Sequence, residues 1–296
     1  MNSLKSSINF FLASFLMGLI PFFIRLIEID LVLLTFFRLS FGFIAFLLLF
    51  LVMRKEFHWS RKGIPLIILM SALFAVSFIF YFESIRRIQI ASAVFLLKTL
   101  IFWNIIFSIS LMKETLRRST IISSVIAGSG MIFLLFDSFQ FDLIGCLFGI
   151  GAGLTAGLLT TLLVPAMRVF DEWSFNLIIF GISSLLLLPI LILNEMAISF
   201  TSSDYLVLAA LILFGTFLPY YLIAEGARKR KESSQNIGLL FNGEIILPLI
   251  FGLFIFGESP SIFSLIGGGL VCFSILPIFA DHHINSWRKK DDFQKI

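Results

Sequence analysis

Lys98 lies about eight residues into an apolar run, Phe95-Leu96-Leu97-Lys98-Thr99-Leu100. A charge at that depth in a membrane helix costs about 2.5–3.5 kcal/mol on insertion scales unless something receives it. It suits a ligand for an anionic group or a proton-coupled switch, and equally an ion pair between two helices or a side chain snorkelling to the interface. Glu244, in Phe241-Asn242-Gly243-Glu244-Ile245, is the one acid well inside an apolar run in the second half. A lysine and a glutamate beside one water-filled cavity can bind a zwitterion or exchange a proton; the same pair can also be static. Arg38 and Arg25 are the other bases within apolar runs, each near an end, where they can face a cavity or gate or snorkel. Trp103, Tyr220 and Tyr221 are candidates to line a cavity, together with some of the 38 phenylalanines. The expected polar and aromatic contacts of a substrate are therefore Lys98, Asn242, Glu244, Arg38, Trp103, Tyr220 and Tyr221.

The elements that must hold these residues are read from composition. Of 296 residues, 59% are hydrophobic and 14% charged, with a mean hydropathy of +1.04. A soluble domain of this size carries about 25% charged residues. Runs of about 20 apolar residues, the length that crosses a bilayer core, recur at 8–27, 31–53, 63–84, 91–112 and 119–136. They recur again at 142–164, 174–193, 204–225, 237–256 and 262–280. These are ten expected spans with short loops and no separate soluble domain. The first run continues past any small-residue cleavage site and is read as a span rather than a leader. Cys146 and Cys272 both lie in apolar runs and suggest no disulfide framework.

Loop charges set the expected orientation. With both termini in the cytoplasm, seventeen of the 22 lysines and arginines fall in cytoplasmic segments, and only Arg86 and Arg87 fall in outer loops. The outer loops are acidic: Glu28, Asp30, Asp137, Asp142, Glu195, Asp204 and Glu258. Lysine and arginine bias of this kind orients membrane proteins, and it accounts for the net charge of +4 without invoking nucleic acid.

The chain also repeats. Phe82-Glu83-Ser84-Ile85-Arg86-Arg87 is answered by Ala224-Glu225-Gly226-Ala227-Arg228-Lys229, and Leu111-Met112-Lys113-Glu114 by Ile255-Phe256-Gly257-Glu258. The spacing is 31 residues from Glu83 to Glu114 and 33 from Glu225 to Glu258. Five spans per copy puts the second copy in the opposite orientation, the inverted repeat of many secondary transporters. Counted back from the paired glutamates, Lys98 and Asn242 each lie 16 residues upstream and Glu244 lies 14. The repeat thus places spans four and nine opposite each other at matching depth. Glu83 and Glu225 fit local pairing with nearby bases, while Glu114 and Glu258 fit helix N-termini.

Gly145, Gly149, Gly153 and Gly157 recur every four residues along span six, a row that lets another helix pack closely or slide. It is not a nucleotide loop. Gly267-Gly268-Gly269 is a weaker candidate for the same role. A metal site at His58, His282 and His283 is not expected, no cofactor is implied, and no catalytic set of residues is visible, so the chain reads as no enzyme.

With Thr35-Phe36-Phe37-Arg38, Tyr81-Phe82-Glu83-Ser84-Ile85, Ile90-Ala91-Ser92-Ala93, Lys113-Glu114-Thr115-Leu116, Gly215-Thr216, Asn242-Gly243-Glu244 and Gly257-Glu258-Ser259-Pro260, the chain resembles the drug/metabolite transporter superfamily. Specifically, it resembles a pair of EamA-type domains over nearly its whole length. The resemblance implies an all-α integral membrane fold of ten helices in two inverted five-helix repeats, 8–136 and 141–280, with a cytoplasmic tail at 281–296. It favours Arg38 as a cavity or gate residue. Two positions depart from the family pattern: Ile101 and Ile245 stand where proline is common, with Pro248 nearby. The implied function is secondary active transport, as exporter or exchanger, of a small polar metabolite such as an amino acid. Alternating access around a midplane cavity and a proton as coupling ion complete that expectation. The setting would be the inner cell membrane, crossed many times. The alternative is a passive channel or facilitator without ion coupling.

Overall fold

The computed structural model describes residues 2–54, 56–58, 60–135, 142–193, 200–228, 237, 239–257, 262–277 and 280. The expected tail at 281–296, with His282 and His283, lies outside them, as do Asp137, Glu195 and Glu258. The described residues are helical, with no strand. Seven helical stretches among them are long and apolar enough to cross a membrane, and Arg118–Phe133 and Phe241–Phe254 are shorter apolar helices. The chain is an integral membrane protein that crosses the bilayer several times.

The first crossing is α1 (Asn2–Met17) followed by α2 (Ile20–Leu26); α3 (Leu31–Val52) and α4 (Ile64–Arg87) are continuous. The next crossing is α5 (Ile90–Leu97) followed by α6 (Leu100–Met112). Then come α7 (Arg118–Leu135), α8 (Leu143–Ala166), α9 (Glu172–Leu193), and α10 (Ser202–Ile212) running through a π-turn at Leu213–Phe217 into α11 (Leu218–Arg228). A 3-10 turn at Phe241–Ile245 leads into α12 (Ile246–Phe254), and α13 is Ile262–Phe273.

Acids and hydroxyls at the loop boundaries start several of these helices. The Asp30 carboxylate accepts from the N–H groups of Val32 and Leu33, Asp142 from Ile144 and Gly145, and Asp171 from Trp173 and Ser174. Thr201 and Asp204 form a reciprocal capping box on α10. Each cap satisfies amide groups that the first helical turn leaves unpaired. Much of the acidity of the loops is therefore helix chemistry.

Along the spans the surface is largely apolar, with Leu48, Leu51, Val52, Leu185 and Leu193 all exposed, and a set of polar groups is turned into the interior. Arg38, Lys98, Asn104, Thr161 and Asn242 are fully buried. This inversion follows from the solvent: in hydrocarbon a polar group is stable only if the protein itself satisfies it.

The glycine row of α8 faces the α5–α6 crossing. A Cβ on Gly145 would stand 2.8 Å from Arg87 and Ile88, on Gly149 2.7 Å from Leu96, on Gly153 2.2 Å from the Thr99 hydroxyl, and on Gly157 2.7 Å from Trp103. Thr161, four residues further, takes a 3.0 Å hydrogen bond from the Asn104 amide. Five positions at a four-residue step along α8 thus lie close against the end of α4 and the α5–α6 crossing. Gly130 of α7 receives α13 in the same way, with the Gly267 carbonyl 2.6 Å from where its Cβ would be.

Candidate functional site

Three crossings break at one place, each for a local reason. Between α1 and α2, Pro21 has no N–H to give the Met17 carbonyl, and the chain turns at Gly18 and Leu19. Between α5 and α6, the Thr99 hydroxyl donates to the Leu96 carbonyl at 2.7 Å. That side-chain competition for a backbone acceptor accompanies 3-10-type bonds from Thr99, Ile101 and Phe102 to carbonyls three residues back. The break at Lys98 therefore needs no proline at position 101. In the third crossing Pro248 cannot donate to the Glu244 carbonyl, and Phe241–Ile245 winds as a 3-10 turn.

The breaks interlock. The Glu244 carbonyl would stand 2.8 Å from a Cβ on Gly18, so only glycine admits it. The Ser14 hydroxyl donates to the Leu240 carbonyl at 3.3 Å and lies 2.6 Å from where a Cβ on Gly243 would be. Into this junction Lys98 extends from the α5–α6 break. Its ammonium is 2.6 Å from Glu244 Oε2 and donates to the Phe241 carbonyl at 2.8 Å, with the lysine fully buried. An ion pair so enclosed survives because each charge neutralises the other and the carbonyl takes a further ammonium proton.

Glu244 also forms part of the wall of a cavity of about 160 Å³. The wall is mostly aromatic and apolar, with Met17, Phe74, Phe78, Tyr81, Tyr220 and Phe241 around the acid. From there it runs to Met167, Glu172 and Asn176, at the junction of α8 and α9. The Tyr81 hydroxyl, on the same wall, is buried beside Glu244.

The expected site residues distribute as follows. Glu244 and Tyr220 line the cavity, and Lys98 stands behind Glu244. Arg38 lies behind the wall, its guanidinium 4.0 Å from the ring centre of Phe78 and 5.5 Å from that of Phe82. It donates from Nε to Thr216 Oγ1 at 2.6 Å and from Nη2 to the Gly215 carbonyl at 2.7 Å, joining α3 to the π-turn, while Nη1 has no partner. Asn242 turns to the Ser274 hydroxyl at 2.8 Å, outside the cavity lining. Trp103 stacks with Phe107, and Tyr221 packs against Trp173, also outside it. Tyr81, Gly18 and the Gly215–Thr216 turn are contributors that pattern reading passed over. Tyr81 and Gly215–Thr216 appeared only as motif positions, because a tyrosine on an apolar helix or a glycine in one carries no sign of its tertiary partner.

Comparison with known proteins agrees with this architecture. The sequence matches the EamA-like transporter family twice, over residues 4–136 and 143–280. The chain belongs to the EamA-like transporter family. Over 265 residues it is 26% identical to an uncharacterized transporter of Archaeoglobus fulgidus, covering 90% of this chain and 93% of that one. A crystal structure of a protein 17% identical superposes with a TM-score of 0.71 over 92% of this chain and 96% of that one, which shows a shared fold. This EamA-like protein is thus a membrane transporter by family, and the family and its relative point to transport rather than catalysis.

Proposed function

We propose that this protein is a secondary active transporter of a small metabolite with both a polar, amine-bearing end and an apolar body, an amino acid being the simplest example. The observation that carries the reading is a buried carboxylate, Glu244, held by Lys98 in the wall of an otherwise aromatic and apolar cavity at the junction of three broken helices. Discontinuous membrane helices are a recurrent setting for substrate and coupling-ion sites in secondary transporters. Glu244 offers a substrate amine its second oxygen or, on protonation, releases Lys98. Either event changes the charge balance of the junction between the two halves, the kind of bias that shifts a two-state equilibrium. Tyr81 supplies a hydroxyl to the polar end, and Phe74, Phe78 and Tyr220 accept the apolar body.

In this reading the two matched segments are inverted five-helix repeats that rock about the junction, in the inner cell membrane with both termini in the cytoplasm. The cavity, reaching Glu172 and Met167, then faces the cytoplasm, and proton movement through Glu244 supplies the drive. Purified protein in liposomes, assayed for uptake of radiolabelled amino acids with and without an imposed pH gradient, tests it. Wild type is expected to accumulate at least one hydrophobic amino acid under the gradient, and Glu244→Gln to lose the gradient dependence. Flux indifferent to pH in both proteins would convert the reading to a passive facilitator.

A further inference from the structure

Arg86 is one of only two basic residues in the loops expected on the acidic side, and with Arg25 it forms a reciprocal contact. From α2, Arg25 donates through Nε to the Ile85 carbonyl at 2.8 Å and through Nη2 to the Ile88 carbonyl. From the end of α4, Arg86 donates through Nη2 to the Ile27 carbonyl at 3.0 Å and to that of Ile29. Each arginine therefore grips the backbone at the end of the other's helix. The acceptors are carbonyls at or just beyond the C-terminal ends of α2 and α4, which helices leave without an internal partner.

Beneath this cross-grip the side chains of Ile24, Ile27, Phe82 and Ile85 are fully buried. None of them lines the cavity, whose wall stops at Ile20 on the first crossing and at Tyr81 on α4. The other end of the cavity reaches Met167 and Glu172. The 24-residue α8, about 36 Å long at 1.5 Å per residue, separates the two: its Gly145 packs on Arg87 beside the grip, and Met167 follows its far end. The cavity is thus plugged at one end, and the plug is covered by two arginines that each bind carbonyls at the end of the other's helix.

We propose that Arg25 and Arg86 are the latch of a gate at this end, and that Ile24, Ile27, Phe82 and Ile85 are its plug. The inference rests on the alternating-access reading: for the cavity to open at this end, α2 and α4 must part, and all four arginine–carbonyl bonds must break. Carbonyl acceptors suit a latch. When it opens, the guanidinium groups and the carbonyls they leave are hydrated at the helix ends.

The test reads accessibility rather than flux. In a background of Cys146→Ala and Cys272→Ala, Ser77→Cys places a thiol on the cavity wall. A charged, membrane-impermeant methanethiosulfonate is added to either face of oriented proteoliposomes. With the latch intact, labelling from the latch side is expected to be much slower than from the other. Arg25→Ala with Arg86→Ala should speed latch-side labelling at least about tenfold, the population change for losing one charge-assisted hydrogen bond. Arg25→Lys, which keeps the charge but loses the two-point fork, serves if the double variant does not purify as a single species, and should give a rise of a few-fold. Latch-side rates unchanged in the purified variant overturn the latch. Because labelling needs no substrate, a protein that moves no amino acid but shows these rates would refute the substrate reading and keep the gate.

Discussion

The bases that bind across helices, Lys98 and Arg38 fully buried and Arg25 and Arg86 partly so, fall into two groups. Lys98 is met by a carboxylate at 2.6 Å, whereas Arg25, Arg38 and Arg86 are met by backbone carbonyls, a threonine hydroxyl and aromatic rings. A compact ammonium buried in hydrocarbon-like surroundings needs a full opposite charge. A guanidinium spreads its charge over a plane, is more weakly hydrated, and is stabilised by several neutral acceptors or a ring face. The difference separates two roles. The Lys98–Glu244 contact joins two full charges, while the hydrogen bonds of Arg25, Arg38 and Arg86 described above all end on neutral oxygens.

The contrast is broken most directly at Lys98. Lys98→Met should strand the Glu244 carboxylate and cost about 3–5 kcal/mol, the range for removing one partner of a buried pair. Adding Glu244→Gln should restore most of that loss, since an apolar or neutral pair replaces a buried ion pair at little cost. Thermal unfolding of the two variants in detergent decides it: a double variant no more stable than the single would mean the pair is not the unit of stability. At Arg38, Arg38→Met should cost about 1.5–3 kcal/mol, the worth of hydrogen bonds made by a charged group. Here no second substitution rescues by neutralising a hydrogen-bond partner, because Thr216 and the Gly215 carbonyl are both neutral. Recovery of stability in Arg38→Met by any acid-to-amide change would contradict the division.

Glycines sharpen the same comparison at the junction. Gly153→Ala drives a Cβ to within 2.2 Å of the Thr99 hydroxyl at the Lys98 break and should cost about 1–3 kcal/mol by overpacking. Gly269→Ala meets nothing within 4 Å and should be neutral within about 0.5 kcal/mol. Equal melting temperatures for the two would mean that α8 does not press on the break. The smallest effect is expected at Arg87, half exposed and paired with Glu83 at 3.1 Å and Asp142 at 3.7 Å. Arg87→Gln should change stability by less than about 1 kcal/mol, and the same melts should fall with added salt no more steeply than wild type.

Some of this was legible without coordinates. Depth in an apolar run marked Lys98 and Glu244 as needing partners, because hydrocarbon tolerates no unpaired charge, whereas Arg38, near a helix end, could equally have snorkelled. The repeat arithmetic set Lys98 and Glu244 at one level, and they do meet. Four glycines at a four-residue step announced a close helix contact. Other parts had no local signal. Asn242 occupies the repeat position of Lys98, yet its amide goes to Ser274, since which way a helix face turns depends on its neighbours.

What the amino-acid sequence determined by itself is therefore the solvent and the liabilities: a membrane chain, the apolar runs that cross it, and the few charges that must be satisfied inside. Those follow from transfer free energies that act residue by residue. Only the tertiary structure decided how each liability is met: a carboxylate for Lys98, a carbonyl and a hydroxyl of a π-turn for Arg38, and an exchange of helix-end carbonyls between Arg25 and Arg86. Partners 57 to 178 residues apart along the chain are chosen by packing, and packing is set by the glycines and helix breaks that let the backbones approach.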